Sequence, residues 1–168
     1  MSQLKPANAR AQRPRTAPSP VREHSVFTLV IDGEIFGLPV ASVHTIFRAT
    51  AVTAVPLGPR EVVGLVNLRG NIVTAVSLRR RLGLDDDGPH EGALAIGIEH
   101  DRETFALFVD ELGDVITVSE DVRIPAPPNF PAARLDLTAA VYRLESRILP
   151  VLDLAAILRF TPLAQEAA

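Results

Sequence analysis

The chain has 168 residues, 47% of them hydrophobic, and a formal charge of −3, enough for one sizeable core or two small ones. It contains no Cys, which excludes disulfides, zinc–thiolate sites and cysteine nucleophiles, and with no Trp and one Tyr it has too few aromatics to stack nucleic-acid bases. Charge is uneven: residues 1–24 carry Lys5, Arg10, Arg13, Arg15 and Arg22 against Glu23, so the remainder is acidic.

Taken in chain order, residues 1–24 hold Pro6, Pro14, Pro18 and Pro20 among few hydrophobes and read as a disordered basic tail. They lack the apolar centre of a secretory signal, and no apolar run is long enough to cross a bilayer. With the absence of Cys this fits a reducing cytoplasm. Order is expected near Ser25. Val26 to Val40 forms two apolar runs around Asp32-Gly33, a hairpin signal because a two-residue turn needs positive φ at both positions. Apolar residues at 40, 43, 46 and 47 predict a helical turn or short helix, and residues 51–59, with two prolines, a loop. Val62 to Leu84 reads as a second hairpin around Arg69-Gly70-Asn71, then a helix from Leu78 to Leu82, capped by Ser77 and ended by Gly83. Residues 85–89 are a polar loop.

A similar series follows. Strands are expected at 93–99 and 104–109 around His100 to Glu103, with a short strand at 115–118. Pro125, Pro127, Pro128 and Pro131 mark a long loop. Strands at 140–144 and 148–152 flank Glu145-Ser146, a helix after Asp153 ends near Phe160, and residues 161–168 are a flexible tail. An offset of 69 residues lays Phe27, Leu29, Asp32, Glu34 and Phe36 on Ile96, Ile98, Asp101, Glu103 and Phe105. An offset of 76 lays Leu68, Ile72, Ser77 and Leu78 on Leu144, Ile148, Asp153 and Leu154. The repeat predicts two small β modules, about 25–84 and 92–160, each closed into a barrel to remove its edges.

No reactive constellation emerges. His24, His44, His90 and His100 have no metal-ligand spacing and read as solvated side chains. Asp85-Asp86-Asp87-Gly88 lacks the later glutamate of a calcium loop and reads as a solvated acidic loop. Gly64 and Gly70 belong to no phosphate-binding motif. Arg79-Arg80-Arg81 reads as a solvated helix face beside that acidic loop. Without a catalytic group, metal site or cofactor motif, the chain reads as a binding module rather than an enzyme.

The block VVGLVNLRGNIVTAVSLRRRLGL, residues 62–84, resembles the signature of the CheW domain family, with its Asn67-Leu68-Arg69-Gly70 hairpin followed by a capped Leu-Arg helix. FTLVIDGEIFGLPVASVHTI, FALFVDELGDVITV and RILPVLDLAAIL resemble other family blocks in order and spacing, so the resemblance runs from about Val26 to Phe160. It implies a mainly β fold of two SH3-like five-stranded barrels side by side with short helices. It also implies the function: a cytoplasmic chemotaxis adaptor, recruited to membrane-associated receptor arrays, that binds the regulatory domain of a CheA-type histidine kinase and the cytoplasmic hairpin tip of chemoreceptors. By position, the receptor-binding surface is expected to include Val43, Thr45, Gly64, Arg69, Leu94 and Val115, with Asn67 and Gly70 as structural turn residues. Kinase contacts are expected near Ile72, Val73 and the hairpins of the second barrel. Three positions depart from the family pattern: Thr45 stands where an acidic residue is common, Thr74 where Pro is common, and Ser77 where Asp is common. Two other readings are open, a scaffold for a chemosensory pathway controlling surface motility, biofilm or development, and a small SH3-like nucleic-acid-binding protein.

Overall fold

The computed structural model describes residues 19–160, so most of the expected basic tail and all of the expected C-terminal tail lie outside the described residues. The first strand, β1 (Glu23–Ile31), starts two residues ahead of the expected Ser25. It turns at Asp32 and Gly33, both at positive φ, into β2 (Glu34–Pro39). A 3₁₀ turn (Val40–Ser42) leads to β3 (Val43–Arg48), which corrects the expected helix: only residues 40–42 are helical. Val43, Thr45, Ile46 and Phe47 are β-branched or aromatic residues that favour a pleated strand, and their alternating exposure shows it. Then come β4 (Val52–Thr53), β5 (Val62–Leu68), β6 (Asn71–Ser77) and α1 (Leu78–Arg81). The second half supplies β7 (Leu94–His100), β8 (Glu103–Phe108), β9 (Glu111–Ser119), β10 (Arg123–Ile124), α2 (Ala132–Leu135), β11 (Thr138–Arg143), β12 (Ile148–Leu152) and α3 (Leu154–Ile157). The expected short strand at 115–118 is thus part of a nine-residue strand.

The fold is mainly β, in two sheets with a few short helices. One sheet has the order β10-β11-β12-β2-β1-β9 and the other β3-β7-β8-β6-β5-β4. Each has six strands rather than the expected five, and neither is closed by a ladder between its end strands. Nor does either sheet coincide with one contiguous half of the chain. The halves exchange their first hairpins: β1–β2 joins the sheet of β9–β12, and β7–β8 joins the sheet of β3–β6. The repeat is visible in this exchange. Replacing each strand of one sheet by its repeat equivalent gives the order of the other, including a parallel pair, β6 with β8 and β12 with β2.

The exchanged hairpins are buried on both faces. Phe27, Leu29, Ile31, Phe36 and Leu38 meet Ile96, Ile98, Phe105 and Leu107 in the largest apolar cluster, which α1 and α3 cover with Leu78 and Ile157. The opposite faces feed two smaller clusters, one holding Ala95, Ala106 and Phe108, the other Val26 with Leu149 and Tyr142. Strands buried on both faces read as continuous apolar runs rather than alternating ones. Fully burying each Leu, Ile or Phe contributes about 1.5–3 kcal/mol, so this layer dominates the stability.

The caps repeat as well. Ser77 Oγ accepts from Arg80 N–H at 3.2 Å, and Asp153 Oδ1 accepts from Ala156 N–H at 3.3 Å. The three arginines of α1 are not the solvated face expected. Arg79 grips Asp110 with two nitrogens, at 2.8 Å each, and Asp110 also accepts from Asp32 N–H at 2.8 Å. Arg80 reaches the carbonyls of Arg60 and Asp86. Arg81 donates to the carbonyls of Ile157, Ala156 and Arg159, satisfying the end of α3. The acidic loop is likewise tied down. Asp86 accepts from Ser77 and pairs with His90 at 2.9 Å, and both Asp86 and His90 are largely buried, not solvated.

Two outcomes follow from these contacts. A Cβ on Gly64, at the bulge of β5, would lie 2.2 Å from the Thr53 carbonyl oxygen. Gly64→Ala should therefore lower unfolding free energy by about 2 kcal/mol or more in a denaturant titration. Asp110 is held below the ordinary carboxylate range, first by the hydrogen bond from Arg79 and then by Asp32 N–H, against the opposing effect of burial. A carboxyl with a lowered folded-state pKa contributes stability that is complete above its unfolded pKa and is lost as pH falls through the folded value. Asp110→Asn should flatten the decline in melting temperature below about pH 4.

Candidate functional site

The β5–β6 hairpin closes at the Leu68–Asn71 pair, leaving Arg69 (φ 51°) and Gly70 (φ 87°) as a two-residue turn of the type that needs positive φ twice. Asn67 Oδ1 accepts from Gly70 N–H at 2.8 Å, so the Asn67 side chain braces the turn. Both are structural parts of the tip, and Arg69 is the side chain the tip presents.

The edge strand β3 comes to this tip through its pairing with β7. Thr45 lies opposite Gly97, where a Cβ would stand 2.6 Å from Thr45 Cγ2; the glycine lets the threonine settle onto the sheet. From there Thr45 Oγ1 accepts a hydrogen bond from Arg69 Nη2 at 3.3 Å. A cavity of about 320 Å³ opens beside the contact, lined by His44, Thr45, Leu68, Arg69, Asn71, Val73, Glu99 and Thr104. His44 and Glu99 face each other across its rim at 3.7 Å, each half exposed.

The remaining candidates are placed differently. Val43 begins β3 and is half-buried against the central apolar cluster. Leu94 packs on the same cluster while its carbonyl accepts from Val109 N–H at 3.1 Å. Gly64 is buried and touches Thr53 backbone, so it shapes the sheet and presents nothing. Val115 is 57% exposed, opposite Phe27 on β9, in the other sheet. The structure thus brings Thr45 and Arg69 into contact. It places Val43 and Val115 on the two equivalent edge strands, one per sheet. Exposed apolar residues were missed by the sequence reading. Ile46 is 46% exposed because it points away from Thr45 on β3, an alternation that a helical reading hides.

A larger cavity, about 710 Å³, lies at the start of β1. Its polar groups are turned on each other. Glu120 accepts from the Tyr142 hydroxyl at 3.0 Å and pairs with His24 at 2.7 Å. The Tyr142 contact, then His24 and Arg123, keep the Glu120 carboxyl below its usual range, while burial and the Glu120 bond push the Tyr142 hydroxyl up. At the base of α1, burial alone would raise Asp86. The hydrogen bonds from Ser77 and His90, with the charges of His90 and Arg80, outweigh it and hold Asp86 low. Among the described residues, no three His, Cys, Asp or Glu side chains converge to hold a metal ion. No described helix is long and apolar enough to cross a membrane.

Comparison with known proteins agrees with this architecture. The chain is 27% identical over 138 residues to a probable chemotaxis protein CheW of Rhizobium etli, covering 82% of this chain and 88% of the relative. It is 25% identical over 130 residues to the chemotaxis protein CheW of Helicobacter pylori, covering 77% and 78%. It is 27% identical over 133 residues to that of Bacillus subtilis, covering 79% and 85%. The crystal structure of the scaffolding protein TtCheW from Thermoanaerobacter tengcongensis shares the fold with a TM-score of 0.73 at 21% identity, over 85% of this chain and 99% of that one. The sequence model of the CheW-like domain matches residues 25–162, and the chain belongs to that family.

Proposed function

We propose that this chain is a chemotaxis adaptor that couples chemoreceptors to a CheA-type histidine kinase by protein–protein binding, working in the cytoplasm at receptor arrays. The relatives' names support a chemotaxis role. The observation that carries the reading is the contact between Thr45 and Arg69, which makes the β5–β6 turn and the edge strand β3 one exposed surface. A rigid turn held by Asn67, a polar recess and an adjacent apolar strand suit a surface that receives a helical partner without rearranging.

In this reading the receptor tip meets Thr45 and Arg69, with Val43 supporting the strand and Val115 extending the contact to the second sheet. Leu94 and Gly64 set the backbone beneath. On the kinase side, Ile72 is 65% exposed and available, whereas Val73 is buried in the smaller cluster and offers no contact. Nucleic-acid binding loses its strongest internal feature, because Arg79, Arg80 and Arg81 are each engaged within the fold.

Purified chain, kinase and receptor cytoplasmic fragment should together give receptor-dependent kinase output that falls away when the chain is omitted. Val115→Asp, at an exposed position, should weaken receptor capture about tenfold while leaving the melting temperature and kinase binding near wild type. Equal loss of both partners in the same pulldown would remove Val115 from the receptor face.

A further inference from the structure

We infer that the cavity at the start of β1 is a binding site for a neutral, mainly apolar small molecule that carries one N–H or O–H donor. This goes beyond the adaptor reading and does not depend on it.

The cavity exists because the two modules are not packed alike. The 69-residue offset lays Pro39 on Phe108, and each pairs with the matching residue of its hairpin, Val26 and Ala95. Phe108 is buried and fills the small apolar cluster of its module. Pro39 is short and exposed, and the space beside it stays open. Larger neighbours take up part of that space, Tyr142 for Val66 and Val151 for Ala75, yet about 710 Å³ remains. That volume lies within the roughly 300–1,000 Å³ of small-molecule pockets. Its walls include Val26, Val40, Ala140 and Val151, an apolar surface suited to a compact hydrocarbon body.

The polar groups decide the rest. Glu120, in the 3₁₀ turn Glu120–Val122, has no counterpart in the other module, where the link from β3 to β4 is Ala49-Thr50-Ala51. Its Oε1 takes both close contacts, the Tyr142 hydroxyl at 3.0 Å and His24 at 2.7 Å. Its Oε2 has no hydrogen bond among the described residues, and Arg123 Nη1 stands off at 3.6 Å. A carboxylate oxygen accepts and does not donate, so a ligand must bring the proton. Full charge on the ligand is opposed either way. Arg123 repels a cation, and Glu120 with Glu23 at the rim repels an anion. A neutral N–H or O–H on an apolar body meets both conditions.

Tyr142 is the one tyrosine of the chain, so its ring signals in an NMR spectrum are unambiguous. The test labels that ring and titrates the full-length chain with four probes. They are indole, benzofuran (the same shape with oxygen in place of N–H), and the charged indole derivatives tryptamine and indole-3-acetate. Indole should shift the Tyr142 signals saturably, with a Kd on the order of 1 mM or below. Benzofuran should bind about tenfold more weakly because it offers no donor. Both charged derivatives should also bind more weakly than indole. Pro39→Phe, which copies the other module, and Ala140→Leu, which thickens a wall, should each abolish the saturable shift while melting near wild type. No saturable shift with indole overturns the site, and so does wild-type binding in either filled variant. Benzofuran or a charged derivative binding as tightly as indole overturns the donor chemistry. Should a filled variant melt early, the wild-type comparison of indole with benzofuran decides alone.

Discussion

A β-hairpin that is apolar on both faces must lie between two layers, and this chain contains two of them. Leu29 and Leu38 of one, Ile98 and Leu107 of the other, are wholly buried in a shared layer, while Val26 and Ala106 on their reverse faces are buried in separate clusters. Each hairpin must therefore be covered on both faces, by the shared layer on one and by a smaller cluster on the other. Exchange between halves meets the requirement for both at once. Each hairpin is sandwiched between the central layer and the far side of the other half's sheet. The edge positions then fall to the two-residue strands β4 and β10 and to β3 and β9, whose mostly exposed patterns tolerate water. What is left at the surface of the fold, and so what a partner can touch, follows from that allocation.

The polar contacts then fix geometry more than they add stability. Arg79 with Asp110 is a well-formed bidentate pair, but it is partly exposed, and such pairs contribute about 0–1 kcal/mol. Its value lies in what it joins. Asp110 sits in the link from β8 in one sheet to β9 in the other, while Asp32 tops the exchanged hairpin and Arg79 lies in the helix after β6. One carboxylate therefore holds the turn, the crossover and the helix in a single arrangement. Arg81 does the corresponding work for the two helices, by answering three carbonyls at the end of α3. A run of three arginines thus serves three directions because adjacent helical residues point about a hundred degrees apart.

The repeat was legible because its signals are local. Apolar spacing in the hairpins, Asp32 and Asp101 at positive φ, and Ser77 and Asp153 at the caps all depend on residues a few positions apart. The exchange was not legible, since a repeat says which elements are alike and not which of two equivalent neighbours each will pair with. β3 was misread because residues 40, 43, 46 and 47 satisfy a helical spacing; pairing with β7 decides otherwise. β9 was read short because Glu111, Gly113 and Asp114 are poor strand formers that an edge position accommodates. For the site, the Arg69 turn stood out by its residues. Its contact with Thr45 spans two strands that are not neighbours in sequence, and only the sheet order supplies it.

A molecule with near two-fold internal symmetry meets a difficulty when it must hold two different partners. Two equivalent surfaces would bind two copies of the same partner, and an adaptor would then crosslink instead of couple. Backbone divergence is an expensive remedy here, because both hairpins, both caps and the central layer depend on the duplicated geometry. Divergence at turn tips costs little: a tip side chain touches few others, so its charge can change while the ladder beneath is kept. Thr74 and Pro150 show that even paired strand positions of the repeat have separated where the packing permits. Arg69 and Glu145, at equivalent turns, have separated in charge. The duplicated frame is thus kept by the buried hairpins and the two caps, while turn tips and some strand positions are free to differ.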